Sequence, residues 1–207
     1  KSLNQYDVSM EHDATGQNKT IYWYDGVYRT DSDNQGNLFV LTPYYSSLGN
    51  LQPMPMGINK YDAHGSLLKI FKVDDVDAPL YATTTPSGNP CTPGPYDMAV
   101  DGQGNIYVTD NCVLAIHKLT SEGVYIESYS SPCGFSLGNP TRNYGAASTQ
   151  IAIDKDSGAI YIQATGKNGY GTIKLDTSGN CDQNFWAQVT APSHGNIAVD
   201  SVGNVYM

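Results

Sequence analysis

Four polar residues occupy the same place in a repeated stretch of the sequence, four positions before an aspartate that opens a turn: Arg29, Asp97, Gln150 and Asn196. Calcium prefers oxygen ligands, so Asp97, Gln150 and Asn196 are weak candidates for a structural Ca²⁺ site if the fold brings them together. Of the four side chains only that of Asp97 is negatively charged, which favours a ring of polar groups bridged by water. We therefore predict a binding surface here, and no cofactor apart from this calcium alternative.

Other metal chemistry and nucleophilic catalysis are not indicated. Zinc catalysis needs several His or Cys ligands around an open position. The chain has four histidines, of which only His194 precedes the first strand of a repeat. No G-x-S-x-G elbow, Cys–His pairing by spacing or phosphate loop is present. These observations predict a protein that is not an enzyme.

The elements that position these residues are short strands joined by polar turns. The turn motif recurs as "DNQGNLFV" from Asp33, "DGQGNIYV" from Asp101, "DKDSGAIYI" from Asp154 and "DSVGNVYM" from Asp200. A second motif follows, as in "INKYDAHGSLLKIFK", and adds a strand, a turn with Gly and usually another strand. Each repeat therefore predicts four antiparallel strands, and periods of about 40 to 50 residues are typical of propeller blades.

Composition limits the class of protein. The chain has 207 residues, 40% of them hydrophobic, which suits one well-buried domain. The net charge is −9 and no basic cluster exists, so nucleic acid is not an expected partner. No apolar segment approaches the ~20 residues that span a bilayer. Four cysteines and few lysines predict an extracellular or cell-surface location, and "NKT" at Asn18 is a glycosylation sequon.

The stretch "YDMAVDGQGNIYVTD…AIHKLTSEG" resembles the NHL-type repeat of β-propellers. The resemblance implies an all-β propeller of four-stranded antiparallel blades, in a family that includes binding platforms, surface domains and a few metal-dependent lyases. The arginine that this family often carries in the third strand is replaced by Lys60, Lys118 and Lys174. We predict one domain over 1–207, divided into a half blade, three blades and a second half blade: 1–25, 26–80, 95–131, 148–190 and 194–207.

The two half blades predict how the ends meet. Because "LNQYD" near the start resembles "INKYD", the N-terminal segment is interpreted as third and fourth strands and the C-terminal segment as first and second. If the chain is complete, pairing of Asn204–Met207 with Leu3–Tyr6 closes a four-bladed ring. Otherwise the chain is a fragment of a longer propeller or of a tandem array. The same strand edges allow self-association between molecules.

Long loops are predicted on the face where the four polar residues mark the mouth of the central channel. Elaborated loops on a rigid scaffold often carry binding functions. Tyrosines on or near this face suggest an aromatic contact surface for protein or glycan, although packing of the loops onto the ring is an equal alternative. The candidates are Tyr44, Tyr45, Tyr81 and Tyr144.

Cysteine positions predict one disulfide. Cys91, Cys112 and Cys133 are placed on the long-loop face and Cys181 on the opposite face. We predict a Cys91–Cys112 bond, with Cys112–Cys133 as the alternative, and Cys181 unpaired within the unit.

Together these features predict a non-catalytic extracellular or cell-surface propeller. Its role would be a structural or adhesive building block, a subunit of a fibrous or surface assembly, or a platform for glycan or protein. The alternative is a metal-dependent lyase or hydrolase with its site at the channel mouth.

Overall fold

The structure is a computed structural model that describes residues 9–12, 18–22, 29–46, 53–71, 95–110, 115–130, 133, 150–166, 169–188 and 197–207. Within these ranges the protein is all-β and every strand pair is antiparallel. The described residues form no helix of the length and apolarity that crossing a membrane requires.

The strands form three four-stranded units and two pairs. Unit 1 contains β3 (Arg29–Ser32), β4 (Leu38–Ser46), β5 (Pro53–Tyr61) and β6 (Leu67–Phe71). Unit 2 contains β7 (Pro95–Val100), β8 (Ile106–Asp110), β9 (Ala115–Leu119) and β10 (Tyr125–Ser130). Unit 3 contains β11 (Ile151–Ile153), β12 (Ile160–Gly166), β13 (Gly169–Leu175) and β14 (Cys181–Gln188). The pairs are β1 (Ser9–His12) with β2 (Asn18–Tyr22), and β15 (Ala198–Val199) with β16 (Val205–Tyr206).

The repeated turn motif folds as the sequence predicts. Asp33 Oδ1 accepts hydrogen bonds from the amides of Gln35 and Asn37, each at 2.9 Å, and its Oδ2 accepts from Asn37 Nδ2 at 2.7 Å. Gly36 has a φ of 81°, which a residue with a Cβ adopts only with strain. The same contacts recur at Asp101 and Asp200, so the acidic residues of these turns satisfy backbone amides of their own turns.

Consecutive units are joined by the outer strand of one and the third turn of the next. The ring of Phe71 at the end of unit 1 lies on Gly123, and the ring of Tyr129 at the end of unit 2 lies on Gly179. A Cβ at Gly179 would stand 2.3 Å from Tyr129 Cδ1, so the glycine is required for this contact as well as for its φ of 78°. The glycine of the second sequence motif therefore positions each unit against its neighbour.

The third-strand lysines repeat the same link between units. Lys60 Nζ donates to the carbonyl of Ser121 at 3.1 Å, and Lys118 Nζ donates to the carbonyl of Thr177 at 3.2 Å. Each stem crosses an aromatic ring of its own unit, with Lys60 Nζ 5.5 Å from the centre of Phe39. Lys60 and Lys118 thus each bind the third turn of the next unit.

The disulfide joins Cys133 to Cys181, so the predicted unpaired Cys181 and the alternative Cys112–Cys133 bond are both wrong. The reason is the path of β10, which crosses the third turn of unit 3. Tyr129 OH donates to the carbonyl of Thr177 at 3.3 Å, and this brings the following residues to the start of β14. Closing this loop is worth about 4 kcal/mol in the chain-entropy estimate. The predicted Cys91–Cys112 bond lies outside the described residues.

The N-terminal pair differs from the prediction. β2 pairs with β4 through Ile21–Ser46 and Tyr22–Tyr45, which extends the sheet of unit 1 to six strands. Within the described residues it does not join β15 and β16, because the far end of the nine-residue β4 offers it an edge beyond β3. The predicted pairing of Asn204–Met207 with Leu3–Tyr6 involves a segment outside the described residues. Asn18 lies in β2, opposite His12.

Candidate functional site

The first strands of the three units lie side by side, with β7 between β3 and β11. Direct bonds connect them: the Ile151 amide donates to Asp97 Oδ2 at 3.0 Å, and the Val100 amide donates to Asp31 Oδ2 at 2.7 Å. Because the strands run in the same sense from one unit to the next, their starts gather at one end and their final residues at the other. Each end carries a cation that contacts all three strands or their flanking residues.

Arg29, Asp97 and Gln150 meet at the starts of these strands, and we call them the Arg29 cluster. Arg29 Nε donates to Asp97 Oδ1 at 2.5 Å, and Arg29 Nη2 donates to Gln150 Oε1 at 2.8 Å. The three residues come from different units and are as far apart as 121 positions in the chain. The structure therefore brings together three of the four polar residues selected from the repeat, while Asn196 lies outside the described residues.

Exposure differs sharply within the Arg29 cluster. The Arg29 side chain is 28% exposed, whereas that of Asp97 is 3% exposed and Gln150 is also buried. The partners thus lie behind the guanidinium and fix two of its nitrogens, while part of the arginine faces solvent. The planar guanidinium of an arginine suits carboxylate and phosphate groups, and the contacts to Asp97 and Gln150 fix the orientation of this one.

Asp97 is held by several donors. Its Oδ1 accepts from the Met98 amide at 2.9 Å as well as from Arg29, and its own amide donates to Thr109 Oγ1 at 3.0 Å. Burial raises the pKa of Asp97 above that of an ordinary carboxyl, against the opposing effects of the Ile151 amide and Arg29. Asp97 is therefore a buried carboxylate whose main contact to the surface is the arginine it orients.

The Arg29 cluster does not fit the calcium site considered from the sequence. Calcium takes six to eight oxygen ligands. Asp97 Oδ1 and Gln150 Oε1 both accept from Arg29, and Asp97 Oδ2 accepts from a backbone amide. A guanidinium thus already occupies the place between these oxygens that a cation would take. Among the described residues, no group of three or more His, Cys, Asp or Glu side chains is arranged to hold a metal ion.

Lys155 and Asp31 meet at the other end of the first strands, and we call them the Lys155 cluster. Lys155 Nζ donates to Asp31 Oδ1 at 2.7 Å, to the Val100 carbonyl at 3.1 Å and to the Ser32 carbonyl. These three acceptors match the three donors of an ammonium group. The Lys155 cluster therefore ties the three strands together with all the donors of its cation bonded to the protein.

A second polar group of residues, which the sequence did not indicate, lies within unit 2. His117 Nδ1 lies 2.6 Å from Ser128 Oγ, and Ser128 Oγ lies 2.8 Å from Tyr125 OH. On the other side of the ring, His117 Nε2 is 3.6 Å from Asp110 Oδ2. No motif spacing links these residues, because strand register rather than sequence distance brings them together. The sequence did contain one signal for this group: His117 is a polar residue at a position of the third strand where an apolar residue is expected.

The remaining predicted binding residues are not tested by this geometry. Tyr44 and Tyr45 lie in β4, whose side chains are not described at these positions, and Tyr81 and Tyr144 lie outside the described residues. The predicted aromatic contact surface therefore stays a prediction.

No family model matches the chain, and no curated protein matches it in sequence. Among solved structures, it is similar to a luciferin-regenerating enzyme, with 11% identity and a TM-score of 0.44. The match covers 93% of this chain and 64% of that protein, so this chain spans less than two thirds of its length. At this identity and TM-score, the similarity assigns no activity to the present chain.

The comparison nevertheless corrects one prediction. We expected a non-catalytic structural or adhesive protein, or a platform for glycan or protein, and the similar solved structure is an enzyme. That prediction was wrong, and we do not carry it further. The function is argued below from the described side chains.

Proposed function

We propose that the protein binds an anionic small molecule at the Arg29 cluster, with Arg29 as the cation that recognises it. The observation that supports this proposal is the combination of a partly exposed guanidinium with two nearly buried partners from the other units. The arginine is oriented before any ligand arrives, which lowers the entropic cost of binding. A fixed guanidinium also stabilises negative charge that develops on a bound carboxylate or phosphate.

The surroundings of Arg29 favour an anion over a neutral ligand. The Asp97 carboxylate accepts hydrogen bonds from the backbone amides of Met98 and Ile151 in addition to the one from Arg29. Its negative charge is buried, while the arginine is the charged member of the cluster that reaches solvent. A ligand approaching this end of the strands therefore meets the positive member first.

We also propose that the units are blades of an NHL-like propeller and that the protein is extracytoplasmic. The side-by-side first strands and the repeated links between successive units support the blade arrangement. The Cys133–Cys181 disulfide supports the location, because such bonds persist in oxidising compartments.

Calorimetric titration with small anions tests the ligand proposal. Oxalate and inorganic phosphate serve as probes for the wild type, Arg29→Gln and the matched control Lys155→Gln, which removes the cation at the other end. We expect one saturable site for at least one anion, abolished in Arg29→Gln and unchanged in Lys155→Gln. Absence of binding in the wild type, or equal binding in Arg29→Gln, would overturn the proposal.

A further inference from the structure

Unit 2 differs from unit 3 at one set of equivalent positions. In unit 3, strand register aligns Ile162, Ile173 and Trp186 across three strands. In unit 2 the same register aligns Val108, His117 and Ser128. The same scaffold is thus built with apolar residues in unit 3, so folding alone does not require a histidine and a serine here.

The end of the second strand also differs between unit 2 and the other two units. Asp110 in β8 pairs with Ala115, and the equivalent pair in unit 3 is Ala164 with Gly171. In unit 1 it is Thr42 with Gly57. A carboxylate occurs at this position only in the unit that also carries the histidine and the serine, among the three described units.

The contacts order these groups as a nucleophile, a base and an orienting carboxylate. Asp110 and His117 have side chains that are 0% and 1% exposed, and Asp110 Oδ2 is 3.6 Å from His117 Nε2. At 3.6 Å the Asp110 carboxylate is beyond hydrogen-bond distance of Nε2, but its charge favours the tautomer with hydrogen on Nε2. In that tautomer Nδ1 accepts the Ser128 hydroxyl hydrogen at 2.6 Å. Tyr125 OH then donates to Ser128 Oγ at 2.8 Å.

The serine is more accessible than the histidine. Ser128 and Tyr125 are partly exposed, in contrast to the buried histidine. Tyr125 packs against the apolar cluster between units 1 and 2, which includes Phe71, Val108 and Leu119. The hydroxyl that contacts His117 is thus partly open to solvent, beside a tyrosine that packs on the core.

We propose that Ser128 is a nucleophile that cleaves carboxylic esters, with His117 as the general base and Asp110 as a positioning residue. Ser128 Oγ forms a bond to the ester carbonyl carbon while its proton passes to His117 Nδ1. The bond from that carbon to the alcohol oxygen breaks, and the alcohol leaves with the proton from His117. Water repeats the sequence and releases the acid and the free serine. This site is separate from the Arg29 cluster and does not depend on it.

An alkyl fluorophosphonate tests the proposal, because it phosphonylates activated serines with loss of fluoride. Intact-mass and peptide mass spectrometry of the wild type should show one adduct, on Ser128. Ser128→Ala should abolish it, while Ser130→Ala, which alters an exposed serine of the same strand, should leave it unchanged. His117→Gln should lower the labelling rate at least about 100-fold. Matched melting curves for all variants separate loss of reactivity from loss of fold.

Two further variants keep the test decisive if His117→Gln does not fold. Asp110→Asn should slow labelling with little change in melting temperature, and Asp110→Glu should restore part of the rate. An unlabelled wild type under conditions that label a known serine esterase would overturn the proposal. So would labelling that persists in Ser128→Ala.

Discussion

The two ends of the first strands are both closed by a cation and a carboxylate, but the two ion pairs are built differently. In the Arg29 cluster the carboxylate side chain is 3% exposed and the arginine 28% exposed. In the Lys155 cluster the two side chains have similar exposure, 25% for Asp31 and 31% for Lys155. In the Arg29 cluster only the cation is exposed to solvent, whereas in the Lys155 cluster both charged side chains are partly exposed.

The difference indicates what each end does. Lys155 binds one carboxylate and two backbone carbonyls, so its donors are directed at the protein. Arg29 is held through Nε and Nη2 by side chains from two other units. The Lys155 cluster therefore has the features of a structural tie, and the Arg29 cluster is the end at which we propose that an anion binds.

Removing the two carboxylates should give the largest contrast. Asp97→Ala leaves a guanidinium and two backbone amides without their acceptor in a buried place, so we expect a loss of about 3 kcal/mol in the free energy of unfolding. Asp31→Ala acts in a more exposed place and should cost about 1 to 2 kcal/mol. Urea unfolding with unchanged slope measures both, and an equal or smaller loss for Asp97→Ala would contradict the contrast.

Exchanging the type of cation should give a smaller effect. Arg29→Lys keeps the charge but cannot contact Asp97 and Gln150 with a planar fork. We expect a stability loss of about 1 to 2 kcal/mol and roughly tenfold weaker anion binding by calorimetry. Lys155→Arg is the matched exchange at the other end and should leave anion binding unchanged. Unaltered affinity in Arg29→Lys would show that the fork geometry is not used.

The dependence of stability on pH should reveal the buried carboxyl. Because burial raises the pKa of Asp97 in the folded state, the native protein holds this proton more tightly than the unfolded chain. Its contribution to stability is fully present below the unfolded carboxyl value and is lost as pH rises through the raised native pKa. Thermal unfolding across this range should show that loss in the wild type and a flatter profile in Asp97→Asn. Identical profiles would contradict the assignment.

Salt should produce the smallest difference. A double-mutant cycle between Lys155 and Asp31 should give about 0.5 to 1 kcal/mol at low ionic strength, because both groups are partly exposed. That coupling should shrink at about 0.5 M NaCl more than the coupling between Arg29 and Asp97, whose carboxylate is buried. The reverse order of salt sensitivity would mean that the two ends do not differ as described.

Much of the fold and part of the candidate site could be predicted from the repeated motif in the sequence. Turn chemistry is local, so the aspartate, glycine and asparagine of each turn identify the turns and the strands beside them. The position four residues before each aspartate places Arg29, Asp97 and Gln150 at equivalent ends of neighbouring strands. In the structure Arg29 contacts both Asp97 and Gln150.

Other features depend on contacts that the repeat does not encode. The Cys133–Cys181 bond depends on the packing of Tyr129, in β10, on the third turn of unit 3. Strand order alone had placed these cysteines on opposite faces. The contact between His117 and Ser128 depends on register across the turn between β9 and β10, where a bulge shifts the pairing. β2 pairs with the far end of β4, which lies outside the repeated turn motif.

Anomalous diffraction from crystals soaked in selenate is the most direct test of the anion site, because it locates the anion without assuming a natural ligand. We predict an anomalous peak at hydrogen-bonding distance from the Arg29 guanidinium, absent from Arg29→Gln crystals and retained in Lys155→Gln crystals. A selenate peak on the Lys155 cluster with none at Arg29, or none at either end, would contradict the assignment of the Arg29 cluster as the binding site.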